Sequence, residues 1–195
     1  DSSPSRGLGD VYKRQTMKKI ILINLLFLGS LYSQDYYFSN YAPFDDSIMS
    51  PEQFLGYPVG EMHTRHDLIV SYMEYLSETS EKAQIYHYGR TYEGRKLVIL
   101  AVSTPDKILD IENIRDTHLS YIHSDHPNYK NESKPDNFPV IINLAYNVHG
   151  NEPSSSEAAL LTAYTLVSSE SDEVNKYLNE SCLLYTSDAA DDLVG

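Results

Sequence analysis

The stretch Pro139-Val-Ile-Ile-Asn-Leu-Ala145, followed four residues later by His149-Gly-Asn-Glu152-Pro153, decides how this sequence is read. The first seven residues are almost wholly apolar, the pattern of a strand covered on both faces. The Ala/Leu-rich run Ser155–Ser168 behind them has the composition of a helix. A strand therefore leads through a short loop into a helix. In α/β sheets, ligands gather at the carboxyl ends of strands, and this loop holds a histidine and a glutamate three residues apart. Side chains so spaced can reach one metal ion, and the intervening glycine relieves crowding. Imidazole nitrogen and carboxylate oxygen are ordinary zinc donors. On spacing alone, an H-x-x-E loop whose side chains are merely solvated fits equally well.

Outward from this loop, the chain alternates between the two periods of secondary structure. Residues 83–90 and 95–103 read as two strands around a turn at Glu93-Gly94, and Lys96-Leu-Val-Ile-Leu-Ala-Val102 is apolar enough to be central. Leu68, Ile69, Tyr72, Met73 and Leu76 recur at helical spacing and predict a helix over 65–80, with Thr64 as its N-cap. Ile108, Ile111, Ile114 and Ile122 predict a second helix over 107–123, ahead of a proline-containing loop to Phe138. Residues 35–60 form an irregular lead-in with one short helical turn near Pro51. The order helix, strand, strand, helix, strand, helix specifies an α/β domain with a mixed sheet.

Three segments, in this order and spacing, resemble the zinc carboxypeptidase family, which includes carboxypeptidases A, B and E. They are the helix at 65–80, the stretch Gly89-Arg-Thr-Tyr-Glu-Gly-Arg95-Lys-Leu97 leading into a central strand, and the strand running into His149-Gly-Asn-Glu152. The resemblance spans roughly residues 65–170, and its last segment is the specific one. It implies a mixed sheet with helices on both faces. It also implies that His149 and Glu152 are two of three protein ligands of a catalytic Zn2+, and that the substrate is a peptide or protein. Asn151 between the ligands is similar to the carboxypeptidase E-like branch. The third ligand, the general-base glutamate and the arginines that grip the terminal carboxylate lie far downstream in the family. Residues 153–181 contain no His and no Arg, so residues 61–181 are expected to be a truncated catalytic domain that holds two of the metal ligands but neither the third nor the base.

Charge and cysteine usage narrow the class further. The net charge is −13; an acidic chain is a poor match for nucleic acid, whose phosphates need a basic partner. Met17-Lys-Lys19, the apolar run Ile20–Leu28 and the small residues up to Gln34 have the layout of a secretory signal peptide over 17–34. The run is short of the roughly 20 residues that span a bilayer, so the expectation is a secreted or periplasmic protein with no stable membrane partner. Both ends resemble translated sequencing-adapter sequence: Ser5–Gln15 within residues 1–15, and Cys182–Asp192 within 182–195. They are expected to stand outside the fold. They carry +1 and −3, which leaves −11 for residues 16–181, and the single cysteine, Cys182, falls in the second of them. Residues 16–181 therefore offer neither a disulfide nor a thiol nucleophile.

Other residues have a plain reading beside a functional one. His63 and His66 could form a second metal site or simply a polar helix start. His123, Asp125 and His126 could chelate or stay solvated. Tyr36, Tyr37, Tyr41 and Tyr57 could offer a sugar platform or pack the lead-in. Ser154-Ser-Ser156 ahead of Glu157 fits helix capping, and no G-x-S-x-G elbow is present. Two further functions share the fold: a zinc amidohydrolase acting on cell-wall peptides or acyl-amino acids, and a non-catalytic binding protein.

Overall fold

A computed structural model describes residues 38–147, 149 and 152–187. The expected signal peptide, the first adapter-like segment and residues 188–195 lie outside the described residues. The chain divides into two units, Asp1–Asn40 and Tyr41–Gly195; the sheet and its helices belong to the second. In chain order they are α1 (Pro51–Leu55), α2 (His66–Thr79), β1 (Ala83–Arg90), β2 (Lys96–Val102), α3 (Pro105–Leu109), α4 (Ile111–Ile122), β3 (Val140–Tyr146), α5 (Pro153–Ser168), α6 (Asp172–Glu180) and β4 (Ser181–Ser187). The strand order is β1-β2-β4-β3. The first two pairs are antiparallel and β4–β3 is parallel. The expected α/β fold with a mixed sheet is what the chain adopts.

Alternation along the strands sends successive side chains to opposite faces. Ala101 and Cys182 join Ile108, Ile111 and Ile114 of α3 and α4 in one buried cluster. Leu100, Val102, Leu183 and Tyr185 are also buried and point the other way, where α2 and α5 meet the sheet. Helices therefore cover both faces. On α2 the inward stripe is Ile69, Val70, Tyr72, Met73 and Leu76. Full burial of one such aliphatic side chain contributes about 1.5–3 kcal/mol, so this stripe accounts for the helix better than local propensity does.

Several expectations are corrected. Residues 182–187, set aside as lying outside the fold, form most of β4, between β2 and β3. Cys182, Leu183 and Tyr185 are each at most 6% exposed. Whatever its origin, Cys-Leu-Leu-Tyr is apolar and strand-compatible, and it fills the central slot of the sheet. Helix α6 ahead of it was not anticipated; Ser171 caps it by accepting from the Val174 N–H. The strand expected to be buried, β3, instead lies at the sheet edge, with Val140 59% and Ile142 38% exposed. An apolar run shows that a strand can be covered, not that a neighbour is present.

The helix expected over 107–123 is two helices that meet at Asp110, and Ile122 is exposed. Thr64 is not the N-cap of α2. That position is Arg65, whose side chain makes no capping hydrogen bond. Nor do the serines at 154–156 cap α5, whose N-cap residue is Glu152.

Candidate metal centre

Strand registers bring three separate segments to one end of the sheet. Ala145 and Tyr146 pair with Thr186 and Ser187 at the end of β4, and Thr186 pairs with Ile99 of β2. Because β2 runs antiparallel to β4, its first residues and the β1–β2 turn lie at the same end as the loop after β3. Gly94 makes that turn possible with φ +80°, a region that costs other residues strain. The turn closes through the Thr91 N–H to Arg95 oxygen at 2.9 Å. Arg90 reinforces it, donating from Nη1 to the Gly94 carbonyl at 2.6 Å.

The loop after β3 is held by Asn147. Its φ of 57° is the left-handed conformation that asparagine tolerates better than most residues. Its backbone N–H donates to Ser155 Oγ at 2.7 Å. With its amide oriented to satisfy its neighbours, the side-chain nitrogen donates to the carbonyls of His149 and Glu152 and to Ser156 Oγ, each at 3.3 Å. The Glu152 N–H donates to the His149 carbonyl at 3.0 Å, which folds the two residues into one tight turn. Both are exposed, and the Glu152 side chain spends no hydrogen bond on capping α5.

The turn thus brings the backbones of His149 and Glu152 together at the carboxyl end of β3. An imidazole and a carboxylate here fit a zinc ion chemically. Among the described residues no group of three His, Cys, Asp or Glu side chains converges to hold a metal; these two would supply only part of a donor set.

Behind the loop, Glu157 is buried on the second turn of α5. It accepts from the Thr64 N–H at 2.8 Å and from Thr64 Oγ1 at 3.1 Å, and Tyr57 donates to the same hydroxyl at 3.2 Å. This contact fastens the helix that follows the loop to the segment before α2. Sequence reasoning missed both Asn147 and Glu157. A polar residue at a strand end and an acid inside an apolar helix were the available signals.

Two of the other candidates hold structural contacts, His126 with a side chain only 12% exposed rather than solvated, while Tyr36 and Tyr37 lie outside the described residues. His66 Nε2 lies 2.8 Å from the Lys96 carbonyl and ties the start of α2 to β2. His126 is paired with Asp116 at 3.0 Å. At this end of the sheet, a cleft of about 660 Å³ is bounded by the start of α2, the β1–β2 turn, Asn147 and Ser156. On its wall the Arg65 guanidinium donates to both oxygens of Asp67, at 3.0 and 2.7 Å, and these bonds hold that carboxyl below its ordinary range.

Comparison with known proteins matches residues 69–185, more than half of the chain, to the zinc carboxypeptidase family. No curated protein matches the chain. The matched span covers β1–β3, α3–α6, the His149 loop and most of β4.

Proposed function

Because the chain belongs to the zinc carboxypeptidase family, we propose that it serves a metallocarboxypeptidase that removes residues from the C-terminus of peptides, with His149 and Glu152 as two of its zinc ligands. A hydrolase acting on peptides is what the family gives; terminal specificity and these residue roles are the finer reading. The observation that carries it is the turn after β3. It sets one imidazole and one carboxylate at the carboxyl end of a sheet strand, braced by Asn147.

When bound, zinc would supply Lewis-acid polarisation of the scissile carbonyl and activation of water. The chain's own residues contribute position. Asn147 fixes the loop backbone, Glu157 fixes the helix behind it through Thr64, and His149 and Glu152 present their side chains to solvent. Neither ligand serves as the general base, since each is committed to the metal. Secretion through residues 17–34 is part of the same proposal and is supported by their basic-then-apolar pattern.

The test is a peptide mixture incubated with the gene product that carries this chain. Release of C-terminal amino acids that stops with a chelator, and in His149→Ala, supports the reading. Amide cleavage confined to acyl-amino acids or cell-wall peptides would replace it with the amidohydrolase alternative. Zinc-independent release would reject it.

A further inference from the structure

The cleft beside the His149 loop gathers basic residues in an acidic molecule. The chain carries 28 acidic and 15 basic residues, yet four of those basic residues, Arg65, Arg90, Arg95 and Lys96, line this cleft, with Asp67 as the one carboxylate among the lining residues. They come from two elements, the start of α2 and the β1–β2 turn, which the sheet registers place at the same end as Asn147.

We propose that this cleft binds a carboxylate-rich segment of the peptide substrate, away from the bond that is cut. The proposal rests on the reading of His149 and Glu152 as part of a hydrolytic site. Three physical points support it. First, guanidinium forks match carboxylates with two parallel hydrogen bonds. Second, the ion pairs that Arg65, Arg95 and Lys96 make are open to water. Arg65–Asp67 is 73% and 66% exposed, Arg95–Glu93 46% and 56%, and Lys96–Glu74 43% and 27%. Ion pairs this open to water hold weakly and yield to competing anions. Third, a volume near 660 Å³ lies within the roughly 300–1,000 Å³ of pockets that enclose a small ligand. The overall acidic charge would repel such a segment elsewhere, so local attraction also orients it.

The experiment uses the full 195-residue chain with chelator present, so that zinc plays no part. A fluorescein-labelled tetraglutamate, amidated at its C-terminus, is titrated by anisotropy at low salt beside its tetraglutamine analogue. The glutamate peptide is expected to bind at least about tenfold tighter, and to weaken steeply with salt. The double substitution R65Q/R95Q should remove most of that difference, and R65K/R95K should restore part of it, because lysine keeps charge but not the fork. Should R65Q/R95Q fail to fold by circular dichroism, K96Q gives the same reading with a smaller loss. Equal binding of the two peptides, or undiminished binding by a folded variant, overturns the proposal. Displacement by inorganic phosphate at matched charge would also overturn it, since that marks a general anion site. A separate zinc titration distinguishes the two ideas. Zinc binding intact with glutamate binding absent rejects this proposal alone; glutamate binding intact with zinc binding absent rejects the hydrolytic reading and, with it, the assignment of the bound segment to a substrate.

Discussion

The carboxylate of Glu157 on α5 accepts hydrogen bonds from both the backbone N–H and the hydroxyl of Thr64, 93 residues earlier in the chain, at 2.8 and 3.1 Å. Both residues are buried, at 8% and 2% exposure. The contact joins the helix that follows the candidate metal loop to the segment that opens α2, so its loss should be felt at a distance.

Glu157→Ala leaves two buried donors on Thr64 without a partner. An unsatisfied buried donor costs about 1–3 kcal/mol, so the melting temperature should fall by roughly 3–10 °C. Glu157→Gln, which keeps one acceptor, should cost less. Calorimetry on the two variants checks this, and an unchanged melting temperature in Glu157→Ala would mean that the contact is not made.

Strand β4 makes its own prediction through Cys182. The thiol is buried, and burial pushes its pKa up, against a smaller opposing effect of the Ser103 hydroxyl. A higher pKa leaves less reactive thiolate at a given pH, so alkylation should begin only above the pH at which an exposed thiol, pKa about 8.5, reacts. Iodoacetamide should label the native chain roughly a hundredfold more slowly than the urea-unfolded chain. Equal rates would place residues 182–187 outside the sheet. In the same sense, ending the chain at Ser181 should abolish cooperative unfolding, because a central strand is removed, and Leu183→Ala should cost about 2–5 kcal/mol.

Asn147 separates backbone strain from side-chain bracing. Asn147→Gly keeps a residue at ease at φ 57° but removes the amide. Asn147→Ala removes the amide and adds a left-handed penalty of about 1–2 kcal/mol. Zinc affinity should fall in both by about 10- to 100-fold, the usual cost of losing a group that orients a ligand. Stability should fall mainly in Asn147→Ala. Unchanged zinc binding in both would remove Asn147 from the site.

The 195-residue chain by itself is expected to show no peptidase turnover. Among the described residues no third donor joins His149 and Glu152, whereas catalytic zinc uses three protein ligands. A site without a general base would lose about 100- to 10,000-fold as well. Turnover that a chelator and His149→Ala both abolish would reveal a complete site and contradict this.

What was legible in the sequence was local periodicity. The stripe Ile69, Tyr72, Met73 and Leu76 gave α2, the apolar run 96–102 gave a central β2, and Glu93-Gly94 gave the turn between them. The His149–Glu152 spacing and its place after a strand gave the candidate ligands. What was not legible depended on neighbours. Nothing in Val140–Ala145 says that β3 is an edge strand, because that follows from what pairs with it. Cys182–Tyr185 resembles adapter sequence, yet its apolar residues fit the gap between β2 and β3. Thr64 looked like a helix cap, but its hydroxyl is engaged by Glu157, and no spacing rule links residues 93 apart. The cationic cleft likewise combines Arg65 with Arg90 and Arg95, which only the sheet registers and the placement of α2 bring to one end.

The most direct measurement is a calorimetric zinc titration of the chain beside His149→Ala and Glu152→Gln, all three shown to be folded. One zinc per chain is expected for the unsubstituted protein, with affinity weakened at least about tenfold by either substitution and lowered as pH falls, because protons compete for the imidazole. Zinc binding of equal strength in all three proteins would show that the ion, if held at all, is held elsewhere, and that His149 and Glu152 are not its ligands.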